Sequence, residues 1–366
     1  MADEIKTPKR STRDIEGTRA PLEQWLAGKL PGARIASLAS PSGTGMSSET
    51  LLFDATWREA GAERTAPFVA RVAPDPRDVP VFPSYELATQ FRVMQLAARG
   101  GVPVPNVRWL ELDAARIGSP FFVMDRALGR VPPDIMPYPM GSWLSEASRE
   151  DQRNLQNATI AAIAKLHAID PEKSGAQFLE FALPGGTPLR RHVQNQRRFY
   201  DWMRQGRSYP LIERAFAWLE AHWPADEGDT VVSWGDSRIG NVLYDGFAPA
   251  AVLDWEMAAL GPRGLDLGWL SFMHAFFQMI ARGAGLPGMP DFLRAVDVTD
   301  EYARLTGRRI DLRWYEAYAA LRHGIIMARI QSRAVHFGEG TWPADLDATI
   351  PHRPLLEQML AGTYWA

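Results

Sequence analysis

The pattern of apolar and polar positions divides the chain into two halves. Between residues 34 and 72, short β-branched and aromatic runs predict strands at Arg34–Leu38, Thr50–Trp57 and Pro67–Val72, with the glycines of Pro41-Ser-Gly-Thr-Gly-Met46 at a turn between the first two. Ser84–Arg99 places Leu87, Phe91, Met94 and Leu96 near one face, as a helix does, and Gly100-Gly101-Val102-Pro103 stops it. Two more strands are predicted at Val107–Leu112 and Pro120–Met124. After Gly129 the period lengthens. Asp151–Ile169, Phe216–Trp223, Leu265–Arg282 and Trp314–Arg333 read as helices, interrupted by short strands at Val231–Trp234, Asn241–Tyr244 and Ala251–Leu253 with Asp245-Gly246 at a turn. The expected organisation is an N-terminal arm and short helix (1–33), a small sheet lobe (34–124), a linker (125–130) and a larger, mainly helical lobe (131–366). No internal repeat is present.

Composition narrows the chemistry. With 46% hydrophobic and 23% charged residues in 366, the chain is an ordinary folded one, and a net charge of −3 gives no electrostatic reason to expect a nucleic-acid or membrane partner. Zero cysteines exclude disulfides, thiol catalysis and cysteine-ligated metals, leaving carboxylates, amides, arginines, hydroxyls and histidines. Met1–Ala20 mixes both charge signs without an apolar core, which argues against a secretory signal and makes the cytoplasm the expected compartment. The most apolar stretch, Leu265–Ile280, carries Asp266 and His274 and is shorter than a membrane span, so it is expected to be a buried helix.

The segment Ser233-Trp-Gly-Asp236-Ser-Arg-Ile-Gly-Asn241, followed by a hairpin and Val252-Leu-Asp254-Trp-Glu256, sets three polar side chains at strand ends. A hairpin brings all three together. Phosphoryl transfer needs such a set: a carboxylate to take a hydroxyl proton and hard oxygen ligands for Mg²⁺ bridging nucleotide phosphates. Asp and Asn alone are also ordinary turn residues. Their order, and the glycine turn, charged strand residue and helix that precede them, favour chemistry over turn-making. No Walker-type Gly-x-x-x-x-Gly-Lys-Ser/Thr run occurs.

On these motifs residues 35–270 resemble the aminoglycoside phosphotransferase family within the protein-kinase-like fold. The resemblance implies an α+β, bilobal architecture: a small antiparallel-sheet N-lobe with one helix and a larger, mainly helical C-lobe. It implies Asp236 as catalytic base, Asn241 and Asp254 as Mg²⁺ ligands, and Asp266, in Gly264-Leu-Asp-Leu-Gly268, as structural support of the catalytic loop. Ser42, Gly43, Thr44 and Gly45 resemble the phosphate-covering turn. Arg71 stands where the family carries lysine, keeping the charge but changing the reach. Glu86 is the favoured anionic partner of Arg71 because it supplies charge, although the family spacing points to Gln90. Met124 would back the adenine of ATP or GTP, and backbone groups of Asp125 and Ala127 would bond its edge. Trp234 takes the place of a histidine and would pack beneath the loop, whereas His167 reads as a packed or capping residue.

Only eleven residues separate Asp254 from Asp266, too few for a peptide-docking segment, so a small hydroxylated acceptor is expected, an aminoglycoside being one candidate. Arg190, Arg191, Arg197, Arg198, Arg204 and Arg207 form either a solvated helix face or the lining of a site for an anionic or amphipathic acceptor. The alternative to an enzyme is a catalytically silent nucleotide-binding module, which the arginine and tryptophan departures favour and the intact Asp236, Asn241 and Asp254 disfavour.

Overall fold

The computed structural model describes residues 13–41 and 49–366. The chain divides into two compact units that are not continuous in sequence. The smaller takes the chain up to Gln95, Pro105–Arg126 and Ser332–Thr341, and the larger takes Leu96–Val104, Ala127–Gln331 and Trp342–Ala366. The expected boundaries thus miss two crossings. The end of the Leu87–Arg99 helix groups with the larger unit, and ten residues near the C-terminus group with the smaller one.

The smaller unit is a five-stranded antiparallel sheet of order β1-β2-β3-β5-β4: β1 (Arg34–Ala39), β2 (Glu49–Glu59), β3 (Ala62–Val72), β4 (Val107–Glu111) and β5 (Phe121–Asp125). Strands β2 and β3 run longer than expected because they meet at a two-residue turn. Glu59 pairs with Ala62, and Ala60 and Gly61 both have positive φ (49° and 83°), the geometry that matches strand twist. Alternate residues Leu51, Phe53 and Ala55 of β2 are buried. Helix α1 (Ile15–Ala27) packs Leu22, Trp25 and Leu26 into the same core, and the Trp25 ring meets Phe121 edge-on at 4.6 Å. Phe122 points to the other face, where Phe91 of α2 (Leu87–Arg99) lies 6.0 Å away. Residues 121–124 of β5 are buried because each face of that strand meets a helix.

The larger unit contains α3 (Arg149–His167), α4 (Pro188–Arg204), α5 (Pro210–Ala221), α6 (Gly264–Gly283), α7 (Ala295–Thr306), α8 (Arg313–His336, which ends in the smaller unit's segment) and α9 (Arg353–Leu360). Two small sheets interrupt them: β6 (Thr230–Ser233) with β9 (Ala259–Pro262), and the hairpin of β7 (Val242–Asp245) and β8 (Ala248–Val252). Helix α6 is buried without a break from Gly264 to His274, as a helix apolar all round should be. Gly264 and Gly268 let Tyr315 of α8 lie against it: a Cβ at either would sit 2.3 or 2.6 Å from that residue. Among the described residues, no helix is long and apolar enough to cross a membrane.

Candidate active site

The loop between β6 and β7 is built around one buried carboxylate. Asp266, in the first turn of α6 and fully buried, accepts from the Ser233 hydroxyl (2.9 Å), the Trp234 amide (2.9 Å) and the Gly235 amide (2.8 Å). Its backbone carbonyl accepts from the Ser237 hydroxyl at 2.7 Å. His167, the last residue of α3, meets the Asp266 carboxylate through Nε2 at 2.9 Å and the Tyr302 hydroxyl through Nδ1 at 2.9 Å. Burial pushes the Asp266 carboxyl upward, but His167 and the amides of Gly235 and Trp234 outweigh it and hold the group below the usual carboxylate range. Gly235 is compulsory here: its φ is +92°, and a Cβ would fall 2.1 Å from the Met257 carbonyl oxygen. Trp234 is buried, its indole N–H donating to the Leu253 carbonyl at 2.8 Å.

Asp236 leaves this loop with its carboxylate held by three donors. Asn241 Nδ2 lies 2.7 Å from one oxygen, the Trp269 indole nitrogen 2.7 Å from the other, and Arg238 Nε 3.1 and 3.2 Å from the pair. Because Asn241 donates through nitrogen, to the Asp236 carboxylate and to its backbone carbonyl (3.1 Å), the amide presents its Oδ1 as the atom suited to a cation. The β7–β8 register then sets the third group: Val242 faces Val252, and the Leu253 amide donates to the Asn241 carbonyl at 2.8 Å, so Asp254 emerges beside Asn241. Asp254 has φ +59°, a left-handed conformation that aspartate adopts more readily than bulkier residues and that collects at functional sites.

Three further residues join the site without having been expected there. Arg238 bridges the carboxylates of Asp236 and Asp134. Burial works against its charge, but Asp134 and Asp236, with Asp254 beyond them, outweigh it and raise the guanidinium well above its usual range. Trp269 follows Asp266 by three positions on α6, so helical spacing already puts both on one face toward the loop. Asp134 has no comparable local signal.

In the smaller unit the picture is less complete. Ser42, Gly43, Thr44 and Gly45 lie outside the described residues. Arg71 is half-buried on β3 and donates to the Thr50 hydroxyl across the β2–β3 pair at 3.1 Å. Glu86 precedes α2 and is exposed, whereas Gln90, in the first turn, is buried, so the inward-facing candidate is the amide and not the expected carboxylate. Met124 is buried at the end of β5. The Asp125 amide is taken by the Asn106 carbonyl (2.9 Å) and its carboxylate by Arg108 (2.7 Å). Ala127 is half-buried.

The arginines of α4, with Arg207 just beyond its end, resolve into the paired helix face. Arg190 meets Glu220 at 2.6 Å and lies 3.5 Å over Trp223; Arg197 meets Glu213 at 2.6 Å, Arg204 meets Asp201 at 3.2 Å, and Arg207 stacks 4.0 Å over Trp342. Arg191 pairs with Glu180, and Arg198 is exposed.

Among the described residues no group of three carboxylates or histidines could hold a metal unaided. Asn241 Oδ1 and the Asp254 carboxylate are hard oxygen donors of the kind that would suit Mg²⁺.

A five-stranded antiparallel sheet joined in one chain to a helical unit with an Asp–Asn loop, a hairpin and a second Asp is the plan of the protein-kinase-like phosphotransferases. The sequence pattern of the phosphotransferase enzyme family matches residues 48–307, and the chain belongs to that family. Its fold is that of a candidate aminoglycoside phosphotransferase from Ralstonia eutropha (TM-score 0.65, 23% identity, 94% of this chain and 98% of the other). It is also that of aminoglycoside phosphotransferase APH(4)-Ia in a ternary complex with ADP and hygromycin B (TM-score 0.54, 15% identity, 93% and 98% covered). Acyl-CoA dehydrogenase family member 10 of Mus musculus is 30% identical over 193 residues, covering 51% of this chain and 16% of the relative. The chain spans less than a third of the length of this and the other leading curated relatives, which also bear acyl-CoA dehydrogenase names.

Proposed function

We propose that the chain is a Mg²⁺-dependent phosphotransferase that moves the γ-phosphate of ATP or GTP to a hydroxyl of a small molecule. The observation that carries this reading is the convergence, through one hairpin, of Asp236, Asn241 and Asp254, with Asn241 bonded to Asp236 and to the residue before Asp254. Bound at Asn241 and Asp254, Mg²⁺ would supply charge neutralisation at the phosphates. Asp236 accepts the acceptor's hydroxyl proton as its oxygen attacks the γ-phosphorus. The new O–P bond forms as the bond to the β-phosphate oxygen breaks, and the nucleoside diphosphate leaves. Arg238 keeps Asp236 oriented, and Arg71 grips phosphate oxygens in place of lysine. Asp266 holds the loop that carries Asp236, with Trp234 packed beneath it.

For the acceptor, the arginines of α4, paired with carboxylates on their helix face, give no argument for or against a polycationic aminoglycoside. The acyl-CoA dehydrogenase names of the relatives bring hydroxylated acyl thioesters into consideration alongside hydroxylated antibiotics. The test is nucleoside diphosphate release across a panel of aminoglycosides, macrolides, hydroxyacyl thioesters and simple polyols, with wild type, Asp236→Ala and Asp254→Ala side by side. The reading predicts turnover on at least one acceptor, lost in both variants and without Mg²⁺. Turnover persisting in both variants contradicts the roles, and metal-independent nucleotide binding without turnover on any acceptor points to a silent module.

A further inference from the structure

Arg322, on α8, is 1% exposed, yet among the described residues no carboxylate lies within ion-pair distance of it. A buried guanidinium without a direct counterion is costly, and replacing such a group with an apolar side chain often stabilises a fold. Its surroundings point to what it does. Nη2 donates to the Gly235 carbonyl at 3.2 Å, and the guanidinium lies 4.6 Å over the Trp269 ring and 5.7 Å from the Tyr318 ring. Each of the first two contacts reaches a group that fixes Asp236. Gly235 is the preceding residue, held by its amide to Asp266 and by its carbonyl to Arg322, and Trp269 donates its indole N–H to Asp236 Oδ1 at 2.7 Å. The Tyr318 hydroxyl is itself bonded to buried His192 at 2.6 Å, so the far wall of the guanidinium's slot is fixed as well. Burial pulls the Arg322 guanidinium below its usual range, against the charge of Tyr318 and then of Asp266 and Asp236, which favour its protonation.

We propose that Arg322 is a positioning residue for phosphoryl transfer: it clamps the Trp269 indole and the Gly235 peptide so that the Asp236 carboxylate keeps one orientation, without touching substrate. This rests on the assignment of Asp236 as the base. An apolar residue of similar length would fill the slot but would neither stack as a cation nor hold the Gly235 carbonyl.

The experiment has two arms on the full chain. In the first, ¹H–¹⁵N spectra of wild type, Arg322→Met and Arg322→Lys follow hydrogen exchange of the Trp269 indole N–H, assigned from Trp269→Phe, with thermal melts verifying folding. The clamp predicts exchange about tenfold faster in Arg322→Met and intermediate in Arg322→Lys. Unchanged exchange in a folded Arg322→Met overturns it, and should that variant fail to fold, Arg322→Lys alone decides by the same criterion. In the second, turnover is measured on the acceptor found above. Arg322→Met should lower kcat about a hundredfold with little change in KM for nucleotide, the size expected for misplacing a catalytic group by about 1 Å. The loss should be much smaller when Trp269→Phe is already present, because both changes release the same carboxylate. Additive losses, or a loss confined to KM, reduce Arg322 to a packing residue. Failure of the wild type to turn over any acceptor counts against the phosphotransferase reading and leaves the exchange result standing, since that arm needs no substrate.

Discussion

The two units of this chain secure their chemistry by different means. In the larger, the loop that carries Asp236 is held by buried polar groups: one carboxylate, Asp266, gathers two amides, a hydroxyl and an imidazole, and Asp236 itself is gripped by Asn241, Trp269 and Arg238. In the smaller, order comes from aromatic and aliphatic alternation. Trp25, Phe53, Phe68 and Phe121 pack one face of the sheet, and the charged candidate Arg71, half-buried on β3, donates to the Thr50 hydroxyl across its strand pair. A buried polar network fixes side-chain geometry and is costly to disrupt, whereas an apolar core fixes the backbone and tolerates exchange of its polar fringe. The larger unit should therefore be intolerant of isosteric polar changes and the smaller one permissive.

Substitutions test this contrast in decreasing order of effect. Asp236→Asn keeps the size but removes the proton acceptor and turns an amide nitrogen toward donors, so turnover should fall about 10³- to 10⁴-fold at a temperature where the variant is folded, and the melting temperature should drop as well. Asp266→Asn substitutes one donor-bearing nitrogen for an acceptor facing amides or His167, leaving buried groups without partners. Its expected cost is about 3–5 kcal/mol of stability in urea unfolding, and a loss under about 1 kcal/mol would erase the contrast.

A third test uses pH. Glu316 on α8 is buried, accepts from the Ser271 hydroxyl (2.8 Å) and the Trp365 indole (2.7 Å), and has its pKa pushed by burial from 4.5 to about 7, against the lowering effect of those two bonds. Because the folded state holds this proton to a higher pH than the unfolded chain does, Glu316 should make stability fall as pH rises from about 4.5 to about 7 and stay level above. Comparing urea midpoints of wild type and Glu316→Gln at pH 5, 6, 7 and 8 isolates this contribution. The variant should lack the decline, with a difference on the order of 3 kcal/mol at pH 8. The smallest effect belongs to the smaller unit: Arg71→Lys should change kcat/KM by less than about tenfold in either direction, and a loss above about a hundredfold would show that the sheet positions phosphate as strictly as the loop positions Asp236.

How much of this is legible in the chain follows from the same distinction. Asp236, Asn241 and Asp254 stand out because their relation is set by short spacing and one hairpin, and the β2, β3 and β5 strands by their apolar character. Trp269 was within reach of helical spacing from Asp266. Helix α4 is legible only as the helix face that its arginines imply, not by its bounds. Its Thr187 cap, which accepts from the Arg190 amide at 3.1 Å, and Pro188 are start signals, but its arginine-rich exposed face masks the apolar stripe. Strand β9, with Gly261 and Pro262, has no strand propensity of its own and exists because β6 pairs with it. Arg322 and Asp134 meet the loop across 87 and 104 residues, with no local pattern that reports it. Charge favours Glu86 over Gln90, but α2 begins only at Leu87, which leaves Glu86 in solvent.

The central claim is that Asn241 and Asp254 jointly hold the divalent ion that ties the nucleotide to this loop. Calorimetric titration of a non-hydrolysable ATP analogue, with and without Mg²⁺, into wild type, Asn241→Ala and Asp254→Ala tests it most directly. Mg²⁺ should tighten binding to the wild type at least about tenfold and do little for either variant, whereas equal Mg²⁺ enhancement in all three proteins would place the ion elsewhere and contradict the account.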